Sequence, residues 1–220
     1  MSDNPEGHFL GWYRSVRQCG PTEIATETRR RFNRAALRGF LASDDASVVL
    51  AATRCLGLIG LSSDAYSLVA LLGHKGPEVA AAAENALWTI WMRGPSERAQ
   101  SQLAEAIGRV RNEAWPRAIQ TLRRLLREEP EFAEAHHQLA LCLHSSGDLY
   151  GAKEEYAQTA RLNPLHFAAI AGHGHLCVEL EDYEGALRAY REALRLHPRQ
   201  AELRELVPRL EVFVQQRVVA

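Results

Sequence analysis

Apolar residues recur at helical spacing along most of the chain, and in the C-terminal half the whole pattern repeats every 34 residues. Pro130, Pro164 and Pro198 mark this period, which divides the chain into units 99–132, 133–166 and 167–200. Each unit contains two amphipathic stretches joined by a short polar turn, which predicts a pair of antiparallel helices. Because one pair cannot bury its apolar face alone, the period predicts a stack of such pairs.

The aligned units carry matching side-chain types where their two helices must approach each other. A small residue in the second helix is followed four positions later by a large one. These columns hold Ala118, Ala152 and Ala186, then Leu122, Tyr156 and Tyr190. The columns and the period resemble those of the tetratricopeptide repeat family across residues 96–200. The resemblance implies a right-handed α-solenoid in which the first helices of the pairs line a concave groove that receives a peptide or a partner helix.

Residues 201–220 continue the apolar spacing, with charged residues between the apolar ones. The spacing predicts a C-terminal helix that covers the exposed apolar side of the last repeat, as terminal units of solenoids require. Pro208 lies inside this pattern and predicts a kink or a restart of the helix near Val207.

The N-terminal half contains a second repeat, with an offset of 31 residues. The apolar residues of one predicted helix match those of the next: Val48, Ala51, Ala52, Cys55, Leu56 and Ile59 with Val79, Ala82, Ala83, Ala86, Leu87 and Ile90. Residues 34–95 resemble short HEAT-like repeats, so the predicted fold is all-α, with HEAT-like pairs before three tetratricopeptide units. Residues 1–33 are predicted to be partly ordered. The combined arrangement is similar to uncharacterised bacterial HEAT/tetratricopeptide proteins.

Charge and composition favour a cytoplasmic protein without affinity for nucleic acid or membranes. The formal net charge is −1, so the chain has no global field that would attract polyanions. The N-terminus lacks the basic start and apolar run of a signal peptide, and the apolar stretches fall short of a membrane span. The four cysteines are widely spaced, which predicts free thiols in a reducing compartment.

Histidine is the one residue type enriched locally, because seven of the nine lie in residues 136–197. The tetratricopeptide resemblance places several of them on the groove, among apolar and acidic residues. The implied groove residues are Leu103, Ile107, Glu134, His137, Leu141, His144, His175 and Glu179. Imidazoles there would gain charge near pH 6.5 and attract acidic segments. His136 and His173 occupy columns that predict packing between helices.

A non-catalytic scaffold that binds a protein or peptide partner is the function this pattern predicts, with no catalytic residue, cofactor or metal. One alternative is metal binding or a metal-dependent activity of the groove histidines, which requires three or four ligands converging on one point. No HxxxH element places two of them on adjacent turns. The other alternative is a structural oligomerisation module, in which the groove is filled by the chain's own terminal segments and the protein forms a homo-oligomer.

Overall fold

The structure, a computed structural model, describes residues 4–219, without the side chains of Val218 and Val219. The first three residues of the predicted N-terminal segment and Ala220 of the predicted cap lie outside this range. Thirteen α-helices and one 3-10 helix account for the regular structure of residues 4–219, which include no strand. The predicted all-α class is confirmed. The chain divides into two compact units between Trp91 and Met92.

The first unit consists of six α-helices, of which α4 is the central one. Their bounds are α1 Pro5–Val16, α2 Pro21–Arg31, α3 Arg34–Phe40, α4 Ala46–Ile59, α5 Ala65–Val69 and α6 Pro77–Trp91, with a 3-10 helix at Ser62–Asp64. Helices α1, α2, α3 and α6 all pack against α4. The apolar residues matched by the 31-residue offset are all buried on α4 and α6. Helical periodicity therefore identified the buried positions of these two helices.

Helices α4 and α6 begin at residue types that are typical of helix N-termini. The Asp45 carboxylate accepts a hydrogen bond from the Ser47 backbone N–H at 2.7 Å and caps α4, and Pro77 is the first residue of α6. Gly57 brings α4 close to α6, because a Cβ at this position would lie 2.9 Å from the Cβ of Ala86. The unit is thus built around a close helix–helix contact.

The second unit consists of three helix pairs and a terminal helix. Their bounds are α7 Glu97–Arg111, α8 Trp115–Glu128, α9 Ala133–Ser145, α10 Leu149–Leu162, α11 Phe167–Glu179, α12 Tyr183–Leu196 and α13 Ala201–Val219. Within each pair the two helices pack together, and each second helix packs against the first helix of the next pair. This order of contacts is that of a stacked helical repeat.

The turns within the pairs repeat with the same period as the prolines. Glu113, Gly147 and Glu181 are the residues with positive φ in these turns, at 55°, 83° and 57°. Two of the three second helices then begin with a capping aspartate: Asp148 accepts from the Gly151 N–H at 3.0 Å, and Asp182 accepts from the Gly185 N–H at 2.8 Å. The 34-residue period therefore records turn geometry as well as core packing.

Helix α13 differs from the expectation of a restart, because it runs without interruption through Pro208. Its buried residues Leu203, Val207 and Leu210 pack against the last helix pair. Tertiary packing on both sides of the proline holds the helix together, although Pro208 supplies no N–H to its hydrogen-bond ladder. None of the helices in residues 4–219 combines the length and the apolar character needed to cross a membrane.

Candidate functional site

The eight residues predicted to line the groove all lie on α7, α9 and α11, but they differ in exposure. Leu103, Glu134 and His137 are buried. The other five are at least partly accessible: Ile107, Leu141, His144 and His175 are half-buried, and Glu179 is exposed. We call the accessible sides of α7, α9 and α11 the groove face. The predicted set therefore separates into buried residues and groove-face residues.

Glu134 is the centre of a buried polar cluster that links α9 to the residue capping α11, the first helix of the next repeat. Its carboxylate oxygens lie 3.3 Å from Nδ1 of His137, on the same helix, and 2.9 Å from Nε2 of His166, just before α11. Nε2 of Gln138 also donates to Glu134, at 2.7 Å. The ring centroids of the two histidines are 4.4 Å apart. We call Glu134, His137 and His166 the buried cluster.

The hydrogen bonds of His166 indicate which of its ring nitrogens carries the proton. Its Nδ1 accepts a hydrogen bond from the Ala169 backbone N–H at 3.2 Å, so His166 is the N-cap of α11. A neutral imidazole that accepts at Nδ1 carries its proton on Nε2. Nε2–H of His166 therefore donates to Glu134, and this one side chain both caps α11 and binds α9.

Burial and hydrogen bonding have opposite effects on the pKa values of the cluster. Burial alone would raise the pKa of Glu134, but the hydrogen bonds from His137 and His166 outweigh it and lower the pKa to about 2. Burial also lowers the pKa of His166, and the nearby Glu134 offsets only part of this shift. At neutral pH the cluster contains an ionised carboxylate and a neutral His166 that donates to it.

The buried cluster is also the one place in residues 4–219 where side chains converge closely enough to suggest a metal ion. One ligand atom from each residue lies within 4.8 Å of the others. An ion on Nε2 of His166 would require the proton to move to Nδ1, which would then face the Ala169 N–H, a second donor. Ligation and capping are therefore incompatible in this ring, and the geometry favours a hydrogen-bonded cluster.

Two histidines on the groove face are each held by a tyrosine from the second helix of the same repeat. Nδ1 of His144 lies 3.5 Å from the hydroxyl of Tyr156, and Nδ1 of His175 lies 2.8 Å from that of Tyr190. Nε2 of His144 is 2.9 Å from the carboxylate of Glu179 on the next repeat. In the described range, Nε2 of His175 has no hydrogen-bond partner, so it can bond to a ligand.

Two glycines of α11 allow these tyrosines to take their positions. A Cβ at Gly172 would lie 2.7 Å from the ring of Tyr156, and a Cβ at Gly174 would lie 2.5 Å from the ring of Tyr190. Gly174 is thus a small packing residue within a helix. The same explanation holds for Gly172, which lets the preceding repeat approach.

Burial lowers the pKa of His175, while the carboxylates of Glu202 and Glu179 partly oppose this shift. Burial also raises the pKa of Tyr190 to about 12, with a further contribution from Glu202. Near neutral pH the groove face therefore presents a neutral imidazole bonded to a neutral phenol, with two carboxylates close to them.

His136 and His173 are packing residues, as predicted. His136 is buried between helices, where its Nδ1 lies 2.5 Å from Glu155 and its Nε2 lies 3.0 Å from the carbonyl oxygen of Pro130. His173 is half-buried, and its Nδ1 lies 3.8 Å from the sulfur of Cys177. Cys55, Cys142 and Cys177 are buried free thiols, and Cys19 is a half-buried one.

The sequence interpretation missed three features of the site: His166, Glu202 and the orienting role of the tyrosines. His166 occupies the column of Phe132 and Gln200, directly before the first helix of a unit. A polar residue in that column is a signal for an N-cap. Glu202 lies on the predicted terminal helix, and no local pattern connects it with His175.

Comparison with known proteins supports the assignment of the second unit. The model of the tetratricopeptide repeat family matches residues 169–200. No curated protein sequence matches the chain. The first TPR of Spaghetti (RPAP3), bound to the HSP90 peptide SRMEEVD, is similar in structure with a TM-score of 0.53 and 16% identity, over 55% of this chain and 95% of that one.

The Sgt2 TPR domain from Aspergillus fumigatus has a TM-score of 0.54 and 16% identity, over 58% of this chain and 85% of that one. At these identities the similarity concerns the fold alone. The predicted tetratricopeptide resemblance is confirmed, together with an all-α helical repeat solenoid. The HEAT-like resemblance of residues 34–95 stays a prediction.

Proposed function

We propose that the second unit is a non-catalytic interaction scaffold whose groove face binds a segment of a protein partner. Half-buried Ile107 and Leu141 are the observation that carries this proposal. They leave apolar surface accessible beside His144 and His175, two polar groups fixed by tyrosines. Apolar contact area together with a few oriented polar groups is the usual composition of a recognition surface.

The proposed contact residues are the five accessible ones: Ile107, Leu141, His144, His175 and Glu179. Leu103, Glu134 and His137 support the surface from below, because they are buried. The peptide in the RPAP3 structure supports this class of function, since that protein shares the fold. Binding by a preformed surface also agrees with the dense packing beneath it, which reduces the entropy lost on association.

Site-specific photo-crosslinking tests the proposal even while the partner is unidentified. A benzophenone amino acid replaces Leu141 on the groove face, and in a control it replaces Ala157, an exposed residue of α10. In the native cell we expect a discrete cross-linked adduct from position 141 and none of the same mass from position 157. Equal labelling from both positions would contradict the proposal.

A second candidate is self-association through α13, because two large apolar residues are exposed there. Val212 is 53% exposed and Phe213 is 42% exposed, whereas Val214 packs against the core. Exposed apolar residues at a terminal helix are typical of contacts between copies. Light scattering after gel filtration would show a dimer that Val212→Glu converts to a monomer; a monomeric wild-type protein would exclude this candidate.

A further inference from the structure

Two exposed carboxylates lie on the groove face and on α13. The side chain of Glu179 on α11 is 54% exposed and bonds to His144, and Glu202 on α13 is exposed. Within residues 4–219 neither of them forms an ion pair with lysine or arginine. Glu192 on α12 differs from them, because it pairs with Arg195 at 2.6 Å. Glu179 and Glu202 are therefore negative groups that no lysine or arginine of the described range neutralises through an ion pair.

Glu179 lies four residues after His175 on α11, about one helical turn away, and its carboxylate is 2.9 Å from Nε2 of His144. Both Glu179 and Glu202 oppose the lowering of the pKa of His175 by burial. Glu202 also contributes to the raised pKa of Tyr190, whose hydroxyl bonds to His175. Glu179 therefore adjoins a polar site formed by a neutral imidazole and a neutral phenol, and Glu202 adds negative charge to the same site.

Apolar surface continues from this site onto the neighbouring first helices. Leu141 on α9 and Ile107 on α7 are half-buried, and both pack on the core beneath them. Helix α9 contacts both α7 and α11, so the acidic site on α11 and α13 adjoins an apolar strip on α9 and α7. A single bound segment can contact both.

We propose that the groove face selects a segment with a basic side chain, lysine or arginine, followed by apolar residues. The basic group would lie between Glu179 and Glu202, and the apolar residues would contact Leu141 and Ile107. The inference rests on the proposed function and gives it a partner class. An acidic segment, the class expected from the histidines alone, would meet two carboxylates and be repelled.

Selection from a phage-displayed library of random 12-residue peptides tests this class with immobilised wild-type protein. We expect the selected peptides to be enriched in lysine or arginine together with leucine, isoleucine or phenylalanine. The strongest peptide is then synthesised with a fluorescent label, and its Kd is measured by anisotropy. The double variant Glu179→Gln, Glu202→Gln should weaken binding at least tenfold, because it removes both carboxylates while keeping their shapes.

A matched double variant, Glu154→Gln with Glu184→Gln, changes the charge equally on α10 and α12, outside the groove face. It should leave the Kd within twofold of the wild-type value. If both double variants weaken binding equally, net charge rather than the groove site attracts the peptide, and the inference is wrong.

Leu141→Ser and, separately, Ile107→Ser distinguish this inference from the function on which it rests, with circular dichroism verifying that each variant is folded. Selection of acidic or uncharged peptides that these variants no longer bind would overturn the inference and retain the groove function. Selected peptides that bind both serine variants as tightly as wild type, or no enrichment at all, would overturn both.

Discussion

The two ends of helix α9 each place a histidine beside a glutamate, in settings that look alike in sequence and differ in the structure. Near its start, Glu134 and His137 are buried with His166, whereas near its end His144 bonds to the exposed Glu179. The resemblance to tetratricopeptide repeats assigns Glu134, His137, His144 and Glu179 to one groove. Burial separates them into a cluster that holds two repeats together and a pair that remains open to a partner.

The physical difference between the two settings is the medium around the charge. A carboxylate in the protein interior has lost its hydration and depends on the protein for every hydrogen bond, so removing a partner is costly in free energy. An exposed pair exchanges its partner for water and for dissolved ions at little cost. The same pair of residue types therefore contributes to stability at one end of α9 and remains available for binding at the other.

The largest expected effect comes from Glu134→Ala, which leaves the hydrogen bonds of His137, Gln138 and His166 without their acceptor. We expect the free energy of unfolding to fall by about 3 kcal/mol, measured by urea denaturation. Glu134→Gln should cost less, since its amide oxygen still accepts from His166. A loss below about 1 kcal/mol for the alanine variant would mean that the cluster contributes little.

Chelation tests the same cluster for a bound ion. Since the His166 ring cannot cap α11 and ligate an ion through Nε2 at once, we expect EDTA to leave the urea midpoint of wild-type protein unchanged. A lower midpoint after chelation, restored by added zinc and absent in Glu134→Gln, would instead assign a metal to the cluster.

A smaller loss of stability is expected from Gly174→Ala. This variant tests the packing of α11 against Tyr190, the residue that holds His175 on the groove face. The added methyl group would lie 2.5 Å from the ring of the buried Tyr190. Overpacking of this kind costs about 1–3 kcal/mol, more than the helix propensity that alanine gains. Displacement of Tyr190 should also disturb the hydroxyl that holds His175.

Gly108→Ala is the matched control, because a Cβ at this helical position has no atom within 4 Å. We expect it to be neutral or to stabilise the protein by up to about 1 kcal/mol. If the two glycine variants have equal stability, the contact between α11 and Tyr190 is not tight in solution.

Periodicity predicted the helices and their core because those features are local or recur at a fixed spacing. Ala118, Ala152 and Ala186 are buried as their shared column predicts, and the apolar positions of α4 and α6 are buried as the 31-residue offset predicts. Turn and capping residues could also be predicted from the sequence, because each of them acts on its immediate neighbours in the chain.

The two histidine settings could not be separated from the sequence because their difference depends on contacts between repeats. Glu134 and His166 are 32 residues apart and meet only when α11 stacks on α9. His144 and Glu179 are 35 residues apart and meet on the opposite end of the same helices. A repeat pattern shows that His137 and His144 lie on the same helix. It does not show which of them the neighbouring repeat buries.

Acidification should also destabilise the protein, because the folded state keeps several histidines neutral. Burial lowers the pKa of His166, His173 and His175 from the usual value of 6.5, so the unfolded chain binds protons more readily than the folded one. Stability is therefore complete above pH 6.5 and falls as the pH drops below it. The lowered pKa of Glu134 adds a second loss between about pH 4.5 and 2.

The urea midpoint at about pH 7.5 and at about pH 5.5 measures the first of these losses. His166→Asn provides the informative variant, because asparagine can cap α11 without a titratable group. We expect the difference between the two midpoints to be smaller in this variant than in wild type. An unchanged difference would place the acid sensitivity in His173 and His175 instead of the buried cluster.

The smallest effect on stability is expected from Glu179→Gln, the counterpart of the Glu134 variants at the exposed end. The pair with His144 is open to solvent on the glutamate side, so its loss should change the free energy of unfolding by less than about 0.5 kcal/mol. The same substitution removes one of the two carboxylates proposed to receive a basic side chain. A variant that unfolds like wild type and yet binds the selected peptide more weakly would separate stability from recognition within one helix pair. Loss of stability comparable to that of Glu134→Gln would instead show that both ends of α9 serve to join the repeats, which would leave recognition at this site to His175 and Glu202.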